Sequence, residues 1–405
     1  MHKEDFKIFK NHPELIYLDN AASSQKPITV VNAVENFYSE SYANVHRGSY
    51  SLSEKATQMY EDSREKVKNF INAKNSDQII FTNGTTSGIN MLAYSLETII
   101  PENAIIVATK MDHHSNFIPW QQLAHRKHGQ FKVVGLTTDY ILDLNELYTL
   151  VEKSKPFIVA LPHMSNVLGT INPVNEISSK IHSLSPKTIV VIDAAQSIAH
   201  IKIDVQRIGC DALVFSGHKM FGPSGIGILY LSETLVNDLN PSYFGGGMIN
   251  KVEIEVSTWD TPPHKFEAGT PNIEGAIGLG AAVDYILNIG LKTLCDYEKN
   301  LTEYFMDNYR NINDIKLFGP NSLNNRGPVF SFILTGIHSH DLSELLNEDS
   351  IAVRSGHHCA QILHKDILKT PATTRVSLSI YNTKNDLDLL FKALNKARWT
   401  FTKKI

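Results

Sequence analysis

Between about residues 77 and 230, short apolar runs alternate with amphipathic helical stretches, and that alternation leaves few folds open. Strand-like runs rich in Ile, Val, Leu and Phe occupy 78–82, 104–108, 157–161, 188–193, 211–215 and 225–230. Apolar residues at helical spacing fill 86–97, 115–128, 143–153 and 173–184. Strands apolar on both faces, interleaved with helices, build a mainly parallel sheet covered on both sides. The class is therefore α/β. Helical patterns at 28–42 and 53–72 come first, the second with Ser53 and Glu54 as its start signal. A looser region, 231–270, comes after the alternating core, and then a long helical pattern over 272–310. The remainder alternates strands at 328–334, 351–354 and 374–379 with helices at 339–347 and 385–398, the pattern of a smaller α+β domain. A chain of 405 residues has room for both, since one domain takes ~100–200 residues.

Within the core pattern, Phe215-Ser216-Gly217-His218-Lys219-Met220-Phe221-Gly222-Pro223-Ser224-Gly225 sets one lysine in a glycine-rich turn between two strands. Open α/β sheets present their reactive groups at strand ends of this kind. A lysine preceded by a hydroxyl and an imidazole suits a Schiff base with a carbonyl cofactor. A solvated lysine before a hairpin has the same local sequence.

Three other strand ends carry chemistry. The strand at 78–82 runs into Asn83-Gly84-Thr85-Thr86-Ser87-Gly88, which opens a helix. Free backbone N–H groups, hydroxyls and the positive helix end make a phosphate site there, or a plain N-cap. Neither the dinucleotide nor the Walker pattern is matched. Asp193 ends an apolar strand and precedes Ala194-Ala195-Gln196. A buried carboxylate needs a compensating partner; a protonated pyridine nitrogen is one, and the N–H of a following turn is another. His113, in Met111-Asp112-His113-His114-Ser115-Asn116, comes after the strand at 104–108 and is placed to lie over a planar ring. The His-His pair brings metal to mind, but no third ligand stands at metal spacing, so no metal is expected. Asn44-Val45-His46-Arg47-Gly48 is a polar loop expected near a site. Phosphate cradle, ring-nitrogen carboxylate, stacking imidazole and Schiff-base lysine together are the parts of a pyridoxal-phosphate site.

A second reactive stretch is Ile351-Ala352-Val353-Arg354-Ser355-Gly356-His357-His358-Cys359-Ala360-Gln361. A cysteine beside histidine, near an arginine and at the start of a helical stretch has a setting that favours the nucleophilic thiolate. Cys210 leads into an apolar strand and Cys295 falls in a helical pattern, so both are expected to be structural. Arg375 enters the strand at 374–379, where it suits a bidentate carboxylate clamp or a surface salt bridge. Three scattered cysteines make neither a disulfide framework nor a zinc site, which points to a reducing, cytoplasmic setting. A net charge of −4 gives no electrostatic reason to expect nucleic acid or an anionic membrane. No apolar stretch reaches the ~20 residues that span a bilayer, and the charged start, Met1-His2-Lys3-Glu4-Asp5, has no signal-peptide character.

Ser-Gly-His-Lys-Met-Phe-Gly-Pro-Ser-Gly-Ile-Gly at 216–227 and Arg-Ser-Gly-His-His-Cys-Ala at 354–360 resemble the two signatures of group II cysteine desulfurases, the SufS/CsdA type. The stretches 19–22, 44–48, 84–86, 113–116, 193–196 and 266–272 are similar to that family's other landmarks and stand in the same order. The likeness runs from about residue 14 to 382. It implies a homodimeric fold type I pyridoxal 5'-phosphate enzyme whose large domain holds a mainly parallel seven-stranded sheet flanked by helices. The implied division is an N-terminal segment (1–25) packing on the small domain, a large domain (26–285), and a small α+β domain (286–405) carrying Cys359. By the same resemblance, Lys219 would hold the cofactor, Asp193 its ring nitrogen and Gln196 its ring hydroxyl, with His113 stacked on the ring. Thr85, Thr86, Ser216 and His218 would bind phosphate, joined by Thr270 of the other subunit. Asn166 and Arg375 would orient the substrate carboxylate, with Arg354, His46 and Ala21 also at the substrate.

The activity so implied takes L-cysteine, or L-selenocysteine, to L-alanine. It leaves a persulfide on Cys359 for an acceptor protein of the SufE/SufU type that feeds iron–sulfur cluster assembly. Other fold type I aminotransferases and lyases share the lysine, Asp193 and phosphate residues but have no need of Cys359. Two departures from the family pattern stand out. Ile362 occupies a position where proline is frequent, and the segment from Cys359 to Arg375 is slightly long.

Overall fold

The computed structural model describes residues 2–312 and 314–402. A short strand, β1 (Ile16–Tyr17), precedes the main sheet. That sheet comprises β2 (Ile79–Thr82), β3 (Ile105–Thr109), β4 (Gln130–Val134), β5 (Ile158–Pro162), β6 (Ile189–Asp193), β7 (Ala212–Ser216) and β8 (Gly227–Leu231). Its order is β2-β8-β7-β6-β5-β3-β4. β8 runs against both neighbours, and the other pairs are parallel. This is the fold type I arrangement that the sequence resemblance implied.

Every residue of β5 to β8 is buried. Val159, Leu161, Val190, Ile192, Leu213 and Phe215 belong to one core, while their chain neighbours Ile158, Ala160, Ile189, Val191, Ala212 and Val214 belong to a second. Successive strand residues face opposite sides, so a strand covered on both faces must be apolar throughout. Helices Leu144–Ser154, Val174–Leu184 and Ile273–Ile289 contribute to the first core, and helices Thr85–Glu97 and Ile118–Arg126 to the second.

Three features depart from the sequence pattern. β4 has no counterpart among the expected strands: it lies at the sheet edge, and its mixed Gln-Phe-Lys-Val-Val sequence leaves Gln130 exposed. The helical stretch expected over 272–310 is two helices, Ile273–Ile289 and Leu291–Asn308, bent by 76° at Gly290. Gly290 takes φ +86°, a conformation other residues rarely adopt. In the looser region lies a short hairpin, β9 (Ile249–Val252) with β10 (Ser257–Trp259).

A second, antiparallel sheet lies further along the chain. Its strands in chain order are β11 (Ile315–Phe318), β12 (Val329–Leu334), β14 (Arg354–Gly356) and β15 (Thr373–Ser377), arranged β11-β12-β15-β14. The expected strand over 351–354 divides, its first half being β13 (Ile351–Ala352), which pairs parallel with β1. Phe330, Phe332 and Val376 of this sheet share a core with Phe305, Leu342, Leu346, Leu390 and Leu394 of the surrounding helices. Near the chain start, Phe6 is buried against Tyr381 at 4.6 Å, Tyr285 at 5.9 Å and Phe221 at 6.0 Å between ring centres. No single helix among the described residues is long and apolar enough to cross a membrane.

At Gly227, β8 packs closely against β7 and against the turn that follows β2. A Cβ on Gly227 of β8 would lie 2.5 Å from the Cα of Gly84 and 2.5 Å from the carbonyl oxygen of Phe215. Gly227→Ala is therefore expected to force β2 and β8 apart at a cost of about 1–3 kcal/mol, read as a lower urea midpoint. An unchanged midpoint would contradict that packing.

Candidate active site

The C-terminal ends of β2, β3, β5, β6 and β7 open onto one cavity of about 200 Å³, whose far wall is supplied by residues near β1 and by β14 and β15. Thr85, Thr86, His113, Asn166, Asp193 and Gln196 line it from the large sheet. Ser216, His218 and Lys219 complete that side, and Ala21, Arg354 and Arg375 face them. These residues come from widely separated stretches of sequence, and the fold gathers them at the edge where open α/β sheets bind ligands.

Lys219 ends a short 3-10 turn, Gly217–Lys219, after β7. Incoming donors fix the turn: the His218 carbonyl accepts from the Ser24 N–H at 3.0 Å and the Lys26 ammonium at 3.0 Å, while Ser24 Oγ accepts from the Phe221 N–H at 2.7 Å. Burial draws the Lys219 amine down to about 8, against the pull of Asp193, with Arg375 and Arg354 adding to the depression. Burial likewise raises the Asp193 carboxyl, opposed by the Ala195 N–H at 2.9 Å and by Lys219. An amine lowered in this way is poised to give up and take back a proton near neutral pH.

At the other end of the cavity, Gly84 takes φ +138° and opens helix Thr85–Glu97. Ser216 Oγ accepts from the Thr85 N–H at 2.8 Å and pairs with Thr85 Oγ1 at 2.8 Å, and Thr86 Oγ1 pairs with Ser115 Oγ at 2.6 Å. Hydroxyls around a helix N-terminus suit an anion. Burial, reinforced by Lys219, holds the His113 imidazole down to about 3. Its Nδ1 accepts from the Ser115 N–H at 3.1 Å, which assigns the proton of the neutral ring to Nε2. Asp112 braces the turn beneath, accepting from the Thr109 N–H at 2.6 Å and from Asn116 Nδ2 at 2.7 Å; burial pushes its carboxyl up to about 8.

Arg375 is fully buried. Its Nη2 donates to Asp19 Oδ1 at 2.8 Å and its Nη1 to the Asn166 carbonyl at 3.1 Å, while its Nε has no partner among the described residues. Asn166 Nδ2 donates to the His358 carbonyl at 2.8 Å, and Gln196 Nε2 to the Ala21 carbonyl at 2.8 Å. Cys359 stands just behind the lining, its Sγ 3.7 Å from Arg354 Nη2. The Cys359 carbonyl accepts from the His114 N–H at 2.7 Å, and the Cys359 N–H donates to His357 Nδ1 at 3.2 Å. The helix expected here begins at Gln361, after a turn in which His358 and Cys359 both have positive φ.

Two sequence candidates lie elsewhere. His46 and Thr270 line a separate hollow of about 780 Å³ with Arg47 and His264. Cys210 is buried, and burial raises its thiol; Cys295, lifted by burial to about 12, donates to the His200 carbonyl at 2.9 Å. Sequence reasoning passed over Ser115, Met164 and Pro162, which also line the cavity, and the bracing role of Asp112. Asp112 offered a signal, an acid two residues before a polar turn at a strand end. Met164 and Pro162 offered none.

The aminotransferase class-V family matches residues 16–390. A probable cysteine desulfurase of Halalkalibacterium halodurans is 45% identical over 393 residues, covering 96% of this chain and 95% of that protein. A cysteine desulfurase of Shigella sonnei is 42% identical over 399 residues, 97% of each chain. Among solved structures, the apo cysteine desulfurase of Thermococcus onnurineus NA1 superposes with a TM-score of 0.92 at 36% identity, covering 98% of this chain and 96% of that one. The cysteine desulfurase CsdA of Escherichia coli gives 0.89 at 33% identity, 98% of each chain.

Because burial favours the uncharged imidazole, His113 is expected to stay neutral across the physiological range. In the ligand-free protein its ring-nitrogen resonances, followed by histidine-selective NMR, should not titrate between about pH 5 and 8, where an unperturbed histidine changes charge. A midpoint near the ordinary histidine value would refute the burial argument.

Proposed function

This chain belongs to the class-V aminotransferase family and is an enzyme of the cysteine desulfurase kind, and we propose that it converts L-cysteine to L-alanine through a persulfide on Cys359. One observation carries the assignment of residues: Lys219, Asp193, Arg354 and Arg375 face a single cavity, and Cys359 Sγ lies 3.7 Å from Arg354.

The groups present fit pyridoxal 5'-phosphate. Among the described residues, the buried Asp193 carboxylate accepts a hydrogen bond from Ala195 alone, which leaves an oxygen for a ring N–H. Thr85, Thr86, Ser216 and His218 gather where a phosphate would sit. Gly84 belongs to the same cradle, since a Cβ there would come within 3.2 Å of Ser216 Oγ. When bound, this cofactor supplies an electron sink for cleavage at the substrate's α-carbon and beyond.

The chain's own residues do the rest. Asp193 would hold the cofactor's ring proton, with Gln196 and neutral His113 in the same lining beside it. Lys219, lowered to about 8, moves the proton of the substrate α-carbon. Arg375, in the cavity wall, would bind the substrate carboxylate, with Asn166 and Arg354 beside it. Cys359 Sγ bonds to the substrate sulfur as the carbon–sulfur bond breaks; the three-carbon product takes up protons and leaves as alanine. The outer sulfur then passes to an acceptor protein of the SufE/SufU type, in the cytoplasm, for iron–sulfur cluster assembly.

Thr270 lies outside the cavity of its own chain, which supports a homodimer in which it serves the partner's phosphate. Exposed apolar side chains such as Ile254, Tyr243 and Phe244 favour such an association. The pairing of β1 with β13 supports residues 1–25 packing on a small domain of 286–405, apart from a large domain of 26–285.

Cys359→Ser is expected to keep the yellow cofactor absorbance and lose persulfide formation; sulfur transfer at the normal rate would sink the nucleophile assignment. Arg375→Lys should lower kcat/KM for L-cysteine about 10–100-fold, the worth of a charge-assisted hydrogen bond. Steady-state kinetics with alanine detection reads that change.

A further inference from the structure

Away from the cavity, His46, Glu61 and His264 each bring a ligand atom within 4.8 Å of the others. We propose that these three side chains form a binding site for a divalent transition ion of the zinc type, completed by water. The site stands on its own geometry and does not depend on the desulfurase reading.

His46 Nε2 and Glu61 Oε1 are 3.4 Å apart. Two ligands of a tetrahedral zinc ion, each about 2.0–2.1 Å from the metal, are separated by about 3.4 Å. That pair already has chelating geometry. His264 stands over it with its ring centre 5.1 Å from that of His46, close enough for a side-chain rotation to bring in the third nitrogen. In the single chain His46 is exposed in the hollow they line, and in the homodimer proposed above that hollow, which includes Thr270, would face the partner.

Neighbouring groups orient the ligands, as the surroundings of metal sites commonly do. Arg64 Nε donates to Glu61 Oε2 at 2.8 Å and its Nη2 to Oε1 at 3.4 Å, which fixes the carboxylate with Oε1 also facing His46. The buried guanidinium is itself paired with Glu267 at 2.7 and 2.9 Å. Two carboxylates against one guanidinium leave a single negative charge beside two imidazoles, and Arg47 and Asp260 of the same hollow add one charge of each sign. The His46 backbone N–H donates to Thr57 Oγ1 at 2.9 Å, which holds the loop, and its ring meets Tyr60 edge-on at 5.8 Å. Burial would raise the Glu61 carboxyl, but Arg64 outweighs it and keeps the group ionised; burial keeps His46 neutral. An ion here staples the 44–48 loop to the turn His264–Phe266, a few residues before Thr270.

The test uses the full chain loaded with pyridoxal phosphate and carrying Cys359→Ser, so that no thiolate at the cavity competes for metal. Equilibrium dialysis against Zn2+ should find one tightly held ion per chain, and Co2+ should give the strong visible bands of a four-coordinate site. His264→Gln on the same background should weaken zinc at least tenfold and abolish those bands, since even outer-shell changes cost about 10–100-fold. An unchanged metal-free melting curve establishes that this variant folds. The proposal fails if the parent holds no zinc, if His264→Gln leaves binding intact, or if binding disappears instead with His340→Ala, in the surface pair His338 and His340.

Discussion

The cavity exists because three distant pieces of chain meet on one guanidinium. Arg375 is fully buried, and its ion pair reaches back to Asp19, 356 positions earlier, while its second amino group binds the loop after β5. Removing one partner of such a pair strands the other charge, at about 3–5 kcal/mol. The N-terminal segment, the smaller sheet and the main sheet are thereby held to one geometry. Asn20, Ser377 and Asn382 extend the same joint with further buried hydrogen bonds. The same guanidinium lines the cavity, so the group that holds the architecture together also forms part of the wall.

A second consequence of burial is electrostatic. Lys219 and Asp193 are both removed from water, and each is shifted toward its neutral form. Their attraction offsets part of that cost without cancelling it. A polar group bound beside them would relieve more of that cost, a driving force beyond apolar contact.

Strands buried on both faces were legible, because a continuous apolar run between helical patterns can lose its contact with water only inside a covered sheet. β4 and β11 were not, since edge strands mix polar and apolar residues and their signal is faint. The bend at Gly290 was hidden because both helices carry the same periodicity, and only the glycine's dihedral separates them. In the site, residues at strand ends were readable from local chemistry. Arg375 showed why local reading stops short: its sequence neighbours suit clamp and salt bridge alike, and the side chain makes a buried salt bridge while also lining the cavity. His46 and Thr270 lie outside the cavity of their own chain, a placement that no local pattern encodes. The cluster at His46 brings together residues from three stretches, with His264 more than 200 positions from Glu61, beyond the reach of any spacing rule.

The turn at Cys359 has a mechanical meaning. His358 and Cys359 take φ of +51° and +58°, two successive residues in a region that side chains disfavour by about 1–2 kcal/mol each. Bonds from His114, His357 and Asn166 clamp them there. A tether this short and this firmly pinned has almost no swing. On the proposed reading, a sulfur held there would not be carried outward, and a group collecting it would have to reach into the mouth of the enzyme.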